Sequence, residues 1–435
     1  MPIDEYDVII IGAGIVGVCT AFELSKKGYK TLNIDKNPAV GYGSTSSSCA
    51  VIRTFYSTND ASALAYEGWH YWTNWADYVG EINQNDLVTY HDTGCLIYKT
   101  QSNNYLSNVG PIMDAIGCPY ENLTADQIKQ RLPIINTSRY EPVRQVEDDG
   151  FAEPTGPELA GGIYFPVGGY ISNPQQATNN VKDAVIANGG QFKLNSEVVE
   201  IIQQDDRVAG VTLKDGSQIH APIVINISGP HSGKINALAG KGGNTLIKTR
   251  PCRQEVASLK APDGFDYEHE GPLCADDDVG TYSRPETGNH MLIGTVQPPC
   301  DQIDWADADD FDANISEQLT TQVMRQAQRY TDLQIPASIN GIVALYDVSD
   351  DWNPIYDKSD LAGYYMAIGT SGNQFKNAPL AGKIMTQIIE NCEAGNDHDE
   401  NPTSMELTNI GWTLPLSTFS RNRKVNKDSS FSVLG

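Results

Sequence analysis

Three stretches of the chain carry strong hydrophobic patterning, and the rest is of mixed texture. Tyr6 to Ile11 (YDVIII) is, apart from Asp7, an apolar run rich in β-branched residues, which predicts a strand buried on both faces. Beyond it, Ile15, Val18, Phe22 and the small residues between them give an apolar helix face. Gly28 stands where a helix C-terminus belongs, and Lys30 to Ile34 reads as a second strand ending at Asp35. The second stretch runs from Pro174 to Gly229. A helix around Val181 to Ala187 closes at Gly189-Gly190. Short strands follow at Phe192 to Leu194, Val198 to Ile202, Val208 to Leu213 and Ile223 to Ile227, with Asp215-Gly216 as a hairpin turn. In the third stretch a strand, Tyr364 to Ile368, meets the turn GTSGNQFKNAP. A helix then begins near Pro379, with Leu380, Ile384 and Ile388 four apart on one face.

This alternation predicts an α/β fold whose nucleotide-type domain is assembled from separated segments: 1–89, 150–230 and 347–420. A second domain takes 90–149 and 231–346, where strands mix with acidic loops. Asp301 to Asp312 (DQIDWADADDFD) holds six aspartates and reads as a solvated loop, and the polar stretch 421–435 as a flexible tail.

Composition narrows the function. With 435 residues, 40% hydrophobic and 20% charged, the chain can bury a large core, which excludes disorder, collagen and coiled coil. No run approaches the ~20 apolar residues of a spanning helix, and no basic leader precedes the first apolar run. The net charge of −25 argues against nucleic acid as a partner, since phosphate binding needs clustered Lys and Arg. Eight scattered cysteines without a CxxC pair suggest a reduced, cytoplasmic chain with no metal site.

GAGIVG (Gly12, Ala13, Gly14, Ile15, Val16, Gly17) lies between the first strand and the first helix. Gly12 permits a tight turn, Gly14 lets the backbone approach a pyrophosphate, and Gly17 lets helix and strand pack closely. The helix N-terminus then faces the phosphates. Asp35, 23 positions after Gly12, suits ribose hydroxyls, with Lys36 beside it. The small-residue loop GYGSTSSSCA, with Gly43, Ser44, Thr45 and Ser46, suits a passage under phosphates and a flavin ring.

With these motifs, and with SCAVIRTFYS, VAGVTLKDGSQIHAPIVINISGPHS and GTSGNQFKNAP in order along the chain, the sequence resembles the glycine oxidase, sarcosine oxidase and D-amino-acid dehydrogenase family of flavoproteins. The resemblance implies FAD. It also implies a Rossmann-like FAD-binding domain interleaved with a smaller α+β substrate domain on a mainly antiparallel sheet. It adds Val198, Ser228, Gly229, Gly369, Ser371, Gly372, Asn373, Gln374 and Lys376 to the cofactor contacts. By the same likeness Arg53 and Lys376 hold a substrate carboxylate, Tyr56 and Tyr346 line the pocket, and Tyr282 and His290 face the ring from strands of the substrate domain.

Two departures from the family pattern refine this. Ala344 stands where covalent sarcosine oxidases carry a tethering cysteine, and the GSTSSSC loop has no histidine, which implies non-covalent FAD. Leu292 stands where those oxidases carry an oxygen-activating lysine, which implies a dehydrogenase or slow oxidase. The expected reaction is oxidation of the C–N bond of a small amino acid or N-alkyl amino acid, by hydride transfer to flavin N5, to an imine that hydrolyses. The alternatives are a 2-hydroxy-acid or glycerol-phosphate-type dehydrogenase and a non-catalytic flavin-bearing subunit or assembly factor. The substrate is a small molecule, and the electron acceptor is O2, a quinone or another redox protein.

Overall fold

The computed structural model describes residues 6–433 except 83–85, 102, 104–105 and 428. Its first sheet has six strands, in the order Ile355–Lys358, Tyr364–Ile368, Ile223–Asn226, Val8–Ile11, Thr31–Ile34 and Gln191–Lys193. All neighbours are parallel except the edge strand Ile355–Lys358. A parallel sheet needs cover on both faces, and Val8–Ile11 shows how the apolar run provides for it. Val8 and Ile10 join a core with the helices Ile15–Lys26, Pro174–Ala187 and Ala378–Glu393. Ile9 and Ile11 join another with a three-stranded antiparallel sheet, Val198–Gln204, Arg207–Leu213 and Gln218–His220.

A second sheet of eight strands runs Asn340–Ser349, Thr249–Lys260, His290–Thr295, Thr281–Glu286, Leu273–Asp276, Cys95–Tyr98, Gly162–Phe165 and Glu121–Leu123. Its pairs are antiparallel apart from Leu273–Asp276 with Cys95–Tyr98. Gly162–Phe165 thus pairs on the substrate side, although the sequence reading put it within 150–230. Helix Glu317–Arg329 packs Leu319 and Val323 on this sheet and buries Arg329 against Asp276 (2.7 Å) and Asp278 (2.6 Å). This is the expected fold class: an α/β Rossmann-like unit joined to a sheet-based α+β unit.

Two polar segments are more ordered than their composition implies. Within the acidic loop, Asp301 is buried in a two-point contact with Arg325 (2.8 Å to each oxygen). Asp309 accepts from Lys36 (2.6 Å), Lys234 (2.7 Å) and His231 (2.8 Å). The stretch expected as a flexible tail starts with Arg421, buried against Asp357, Asp360 and Asp399, and continues with Arg423 on Asp351. In both segments a charge partner far away in sequence supplies the order. Among the described residues no helix is long and apolar enough to cross a membrane.

Candidate active site

One cavity of about 980 Å³ runs between the two sheets. That is the upper end of the ~300–1,000 Å³ usual for small-molecule sites. It is lined by Gly12, Gly14, Ile15, Val16, Gly17, Asp35, Lys36, Gly43, Ser44, Thr45, Ser46, Val198, Ser228 and Gly229. The glycines are fixed by sterics. Gly12 has φ +121°, and a Cβ there would lie 2.2 Å from the carbonyl oxygen of Ile227; at Gly17 it would lie 2.4 Å from that of Gly12. A Cβ on Gly14 would meet only Thr45 Oγ1, at 3.0 Å, so this backbone faces open space.

Helix Ile15–Lys26 starts at the cavity with no acidic residue in its first turn. Its Ile15 N–H donates to Thr45 Oγ1 (3.2 Å). Asp35 accepts from the N–H groups of Ala13 (2.8 Å) and Asn37 (2.9 Å), which pins the carboxylate at the mouth of the glycine turn. Ser44 donates to the carbonyl of Leu345 (2.6 Å), tying the small-residue loop to the second sheet.

The C-terminal turn divides into two groups. Gly372, Asn373, Gln374 and Lys376 line the cavity, and a Cβ on Gly372 would press within 2.4 Å of the Tyr346 ring. Gly369 and Ser371, expected as cofactor contacts, lie behind this wall. Gly369 N–H donates to Asp347 Oδ2 (2.6 Å), and Ser371 N–H to the main-chain oxygen of Asp347 (2.7 Å). Gln374 is held by Tyr356 (3.0 Å) and Asn377 (2.9 Å) and itself donates to Asn373 Oδ1 (2.6 Å).

Arg53 and Lys376 both line the cavity and are both buried. Arg53 donates to the carbonyls of Phe55 (2.6 Å) and Val433 (2.8 Å). Lys376 donates to the carbonyl of Asn373 (2.5 Å) and to the hydroxyl of Tyr56. Among the described residues neither cation has a carboxylate partner. Burial, then the charge of Arg53, holds the Lys376 ammonium well below its ordinary pKa. Tyr282 and Tyr346 line the same region, and the Tyr282 hydroxyl meets Cys49 Sγ at 3.3 Å.

Two of the expected substrate residues are placed elsewhere. Tyr56 does not line the cavity; it is buried behind the cations, with its ring 3.9 Å from the Arg53 guanidinium. His290 sits at the tip of the hairpin 286–290, in register with Glu286 and Lys260, away from the cavity. The strand alternation that suggested a ring-facing histidine ends at that turn.

Sequence reading missed Asp347. It lines the cavity, is buried, and accepts from Gly369 N–H and Ser232 Oγ (2.9 Å), with no cation partner among the described residues. Burial pushes its pKa up to about 7. The only sequence signal is an aspartate next to Tyr346 inside an otherwise apolar strand, which the pattern rules count as a polar face.

These residues fit a dinucleotide: a tight turn whose backbone packing excludes a Cβ at Gly12 and Gly17, open backbone facing the cavity at Gly14, a pinned carboxylate at Asp35, and a chamber that continues to two buried cations. The model of the family described as "FAD dependent oxidoreductase" matches residues 7–388. Sarcosine oxidase subunit beta of Arthrobacter sp is 24% identical over 94% of this chain and 93% of its own length. Glycerol 3-phosphate dehydrogenase of Caloramator mitchellensis is 23% identical over 99% and 83%. The crystal structure of L-proline dehydrogenase from P. horikoshii superposes with a TM-score of 0.75 at 20% identity, covering 96% of this chain and 97% of that one.

Proposed function

The chain belongs to the FAD dependent oxidoreductase family, and from that premise we propose that it oxidises the C–N bond of a small amino acid or N-alkyl amino acid. The observation that carries this reading is the pair Arg53 and Lys376, two buried cations that face one cavity with no carboxylate partner among the described residues. Burying an uncompensated cation is costly, and an anionic ligand offsets that cost. A carboxylate at Arg53 and Lys376 fixes the substrate by charge-assisted hydrogen bonds. Its approach also raises the affinity of Lys376 for a proton. The same two positive charges disfavour protonation of the substrate amine, which keeps its lone pair available to drive C–N oxidation. Tyr282 and Tyr346 wall the space around the reacting carbon. The flavin, when bound, supplies the two-electron acceptor for this oxidation. Water then hydrolyses the released imine.

Non-covalent cofactor binding is part of the proposal. Ala344 lines the cavity where a tether would stand, and burial raises the pKa of the Cys49 thiol, which keeps it from acting as a thiolate nucleophile. Leu292, in the place of an oxygen-activating lysine, favours a dehydrogenase or slow oxidase, with O2, a quinone or another redox protein as electron acceptor.

A second reading, oxidation of an anionic hydroxy acid or glycerol phosphate, is favoured by the fact that Arg53 and Lys376 suit any small anion, and by the likeness to glycerol 3-phosphate dehydrogenase. A product assay separates them. The amine reading predicts release of ammonia or an alkylamine in step with substrate loss; a carbonyl product with no nitrogen released would replace it with the hydroxyl reading.

A further inference from the structure

We propose that residues 429–433 are part of the substrate site, closing the cavity over Arg53 so that only carboxylates with a small substituent fit; this rests on the anion-binding reading of Arg53 given above. The polar stretch from Arg421 is anchored in two places. Arg421 is buried between Asp357 (3.1 Å), Asp399 (2.7 Å) and Asp360 (2.6 Å). Arg423 grips both oxygens of Asp351 (2.7 and 3.0 Å) and the carbonyls of Asn353 and Pro354, and Asn426 N–H also reaches Asp351 (3.2 Å). From that anchor the chain delivers Ser429 and Ser432 into buried positions and Val433 onto the cavity wall, where Val433 packs against the cluster of Cys252, Val348 and Trp352.

The Val433 carbonyl oxygen accepts from Arg53 Nη2 at 2.8 Å. A carbonyl is a dipole and leaves the guanidinium charge in place. With Nη1 donating one bond to Phe55, Arg53 still has unused N–H groups for a carboxylate. The arm therefore orients the arginine with its main chain and takes up room beside it with an apolar side chain. A substrate held at Arg53 meets Val433 next, so a short substituent such as hydrogen or methyl is accepted and a bulky one is excluded. This narrows the substrate class to the smallest amino and N-methylamino acids.

The test uses the FAD-loaded protein with acetate and phenylacetate, carboxylates that carry no amine to oxidise. Binding is followed by perturbation of the flavin spectrum and by thermal shift. The full chain is expected to bind acetate more tightly than phenylacetate. In a variant ending at Asn426, and in Val433→Gly, flavin content is expected to be unchanged and phenylacetate to gain about tenfold relative to acetate, the scale of admitting one buried apolar group. If the shortened chain loads FAD poorly, Val433→Gly alone decides. An unchanged acetate-to-phenylacetate ratio in the variants, with acetate still binding the full chain, overturns the inference. Failure of acetate to bind the full chain overturns instead the anion-binding reading of Arg53, and this inference with it.

Discussion

The guanidinium of Arg53 lies 3.9 Å from the ring centroid of Tyr56, and the hydroxyl of that ring accepts from Lys376. One buried aromatic residue thus sets the spacing of both cavity cations, packing one on its face and bonding the other at its edge. Arg53→Met keeps the length of the side chain and removes the charge. It is expected to weaken binding of a carboxylate ligand about ten- to a hundredfold, the worth of a charge-assisted contact of ~1.5–3 kcal/mol, while flavin content stays constant. Titration of the flavin spectrum measures this, and an unchanged dissociation constant would remove Arg53 from the site.

Lys376 gives a proton-linked signature. Burial and the charge of Arg53 lower its pKa, while Asn373 carbonyl and Tyr56 hydroxyl accept from its amino group. An arriving carboxylate raises that pKa again, so binding is linked to proton uptake, and affinity falls as pH rises. Calorimetry of carboxylate binding in buffers of different ionisation enthalpy is expected to show uptake of up to one proton in the unmodified protein and none in Lys376→Met. Equal uptake in both would assign the proton elsewhere.

Gly12 and Gly14 are expected to respond differently to alanine. At Gly12 both the backbone conformation and the Ile227 carbonyl 2.2 Å away exclude a Cβ, so Gly12→Ala should lower thermal stability and abolish flavin loading. At Gly14 the methyl projects into the cavity against Thr45 Oγ1 alone. Gly14→Ala should therefore fold as the parent does while binding FAD more weakly. The ratio of flavin to protein absorbance, read beside the melting temperature, distinguishes the two.

Asp347 makes stability depend on pH with a definite sign. Its folded pKa is raised from 3.8 to about 7, so between those values the folded chain binds more protons than the unfolded chain. Its contribution is full below pH ~4 and is lost as pH rises through 7. Asp347→Asn keeps an acceptor for Gly369 N–H and removes the ionisation. Its melting temperature should therefore gain on the parent's from pH 4 to pH 8, by the equivalent of a few kcal/mol at most. A constant difference across that range would show that Asp347 does not titrate there.

What could be read from the sequence is what is encoded locally. The turn Gly12 to Gly17, the helix after it and Asp35 form one short βαβ unit, so spacing alone placed them together. The strand Tyr364–Ile368 and the helix from Ala378 were equally plain, because patterning changes from continuous to four-residue spacing across a glycine turn. Features set by distant partners were hidden. Arg421 and Arg423 look like a solvated tail until the aspartates of 351–399 are folded against them. Asp309 looks like one of many loop acids until Lys36 and Lys234 arrive from another part of the chain. Tyr56, expected to line the pocket, packs behind the cavity wall against both cations, because its neighbours in sequence could not tell a wall of the cavity from the layer behind it. His290 was lost because a strand's face is set by where its hairpin turns.

The central claim is tested most directly by anaerobic reduction of the purified flavoprotein. Glycine, sarcosine, dimethylglycine, proline and a panel of D-amino acids are added singly while the flavin band is followed. Bleaching by one of the smallest amino or N-methylamino acids is predicted, with little from bulky ones, and colour returning slowly in air. A flavin spectrum that none of these compounds bleaches, but that a hydroxy acid or glycerol phosphate does, would contradict the account.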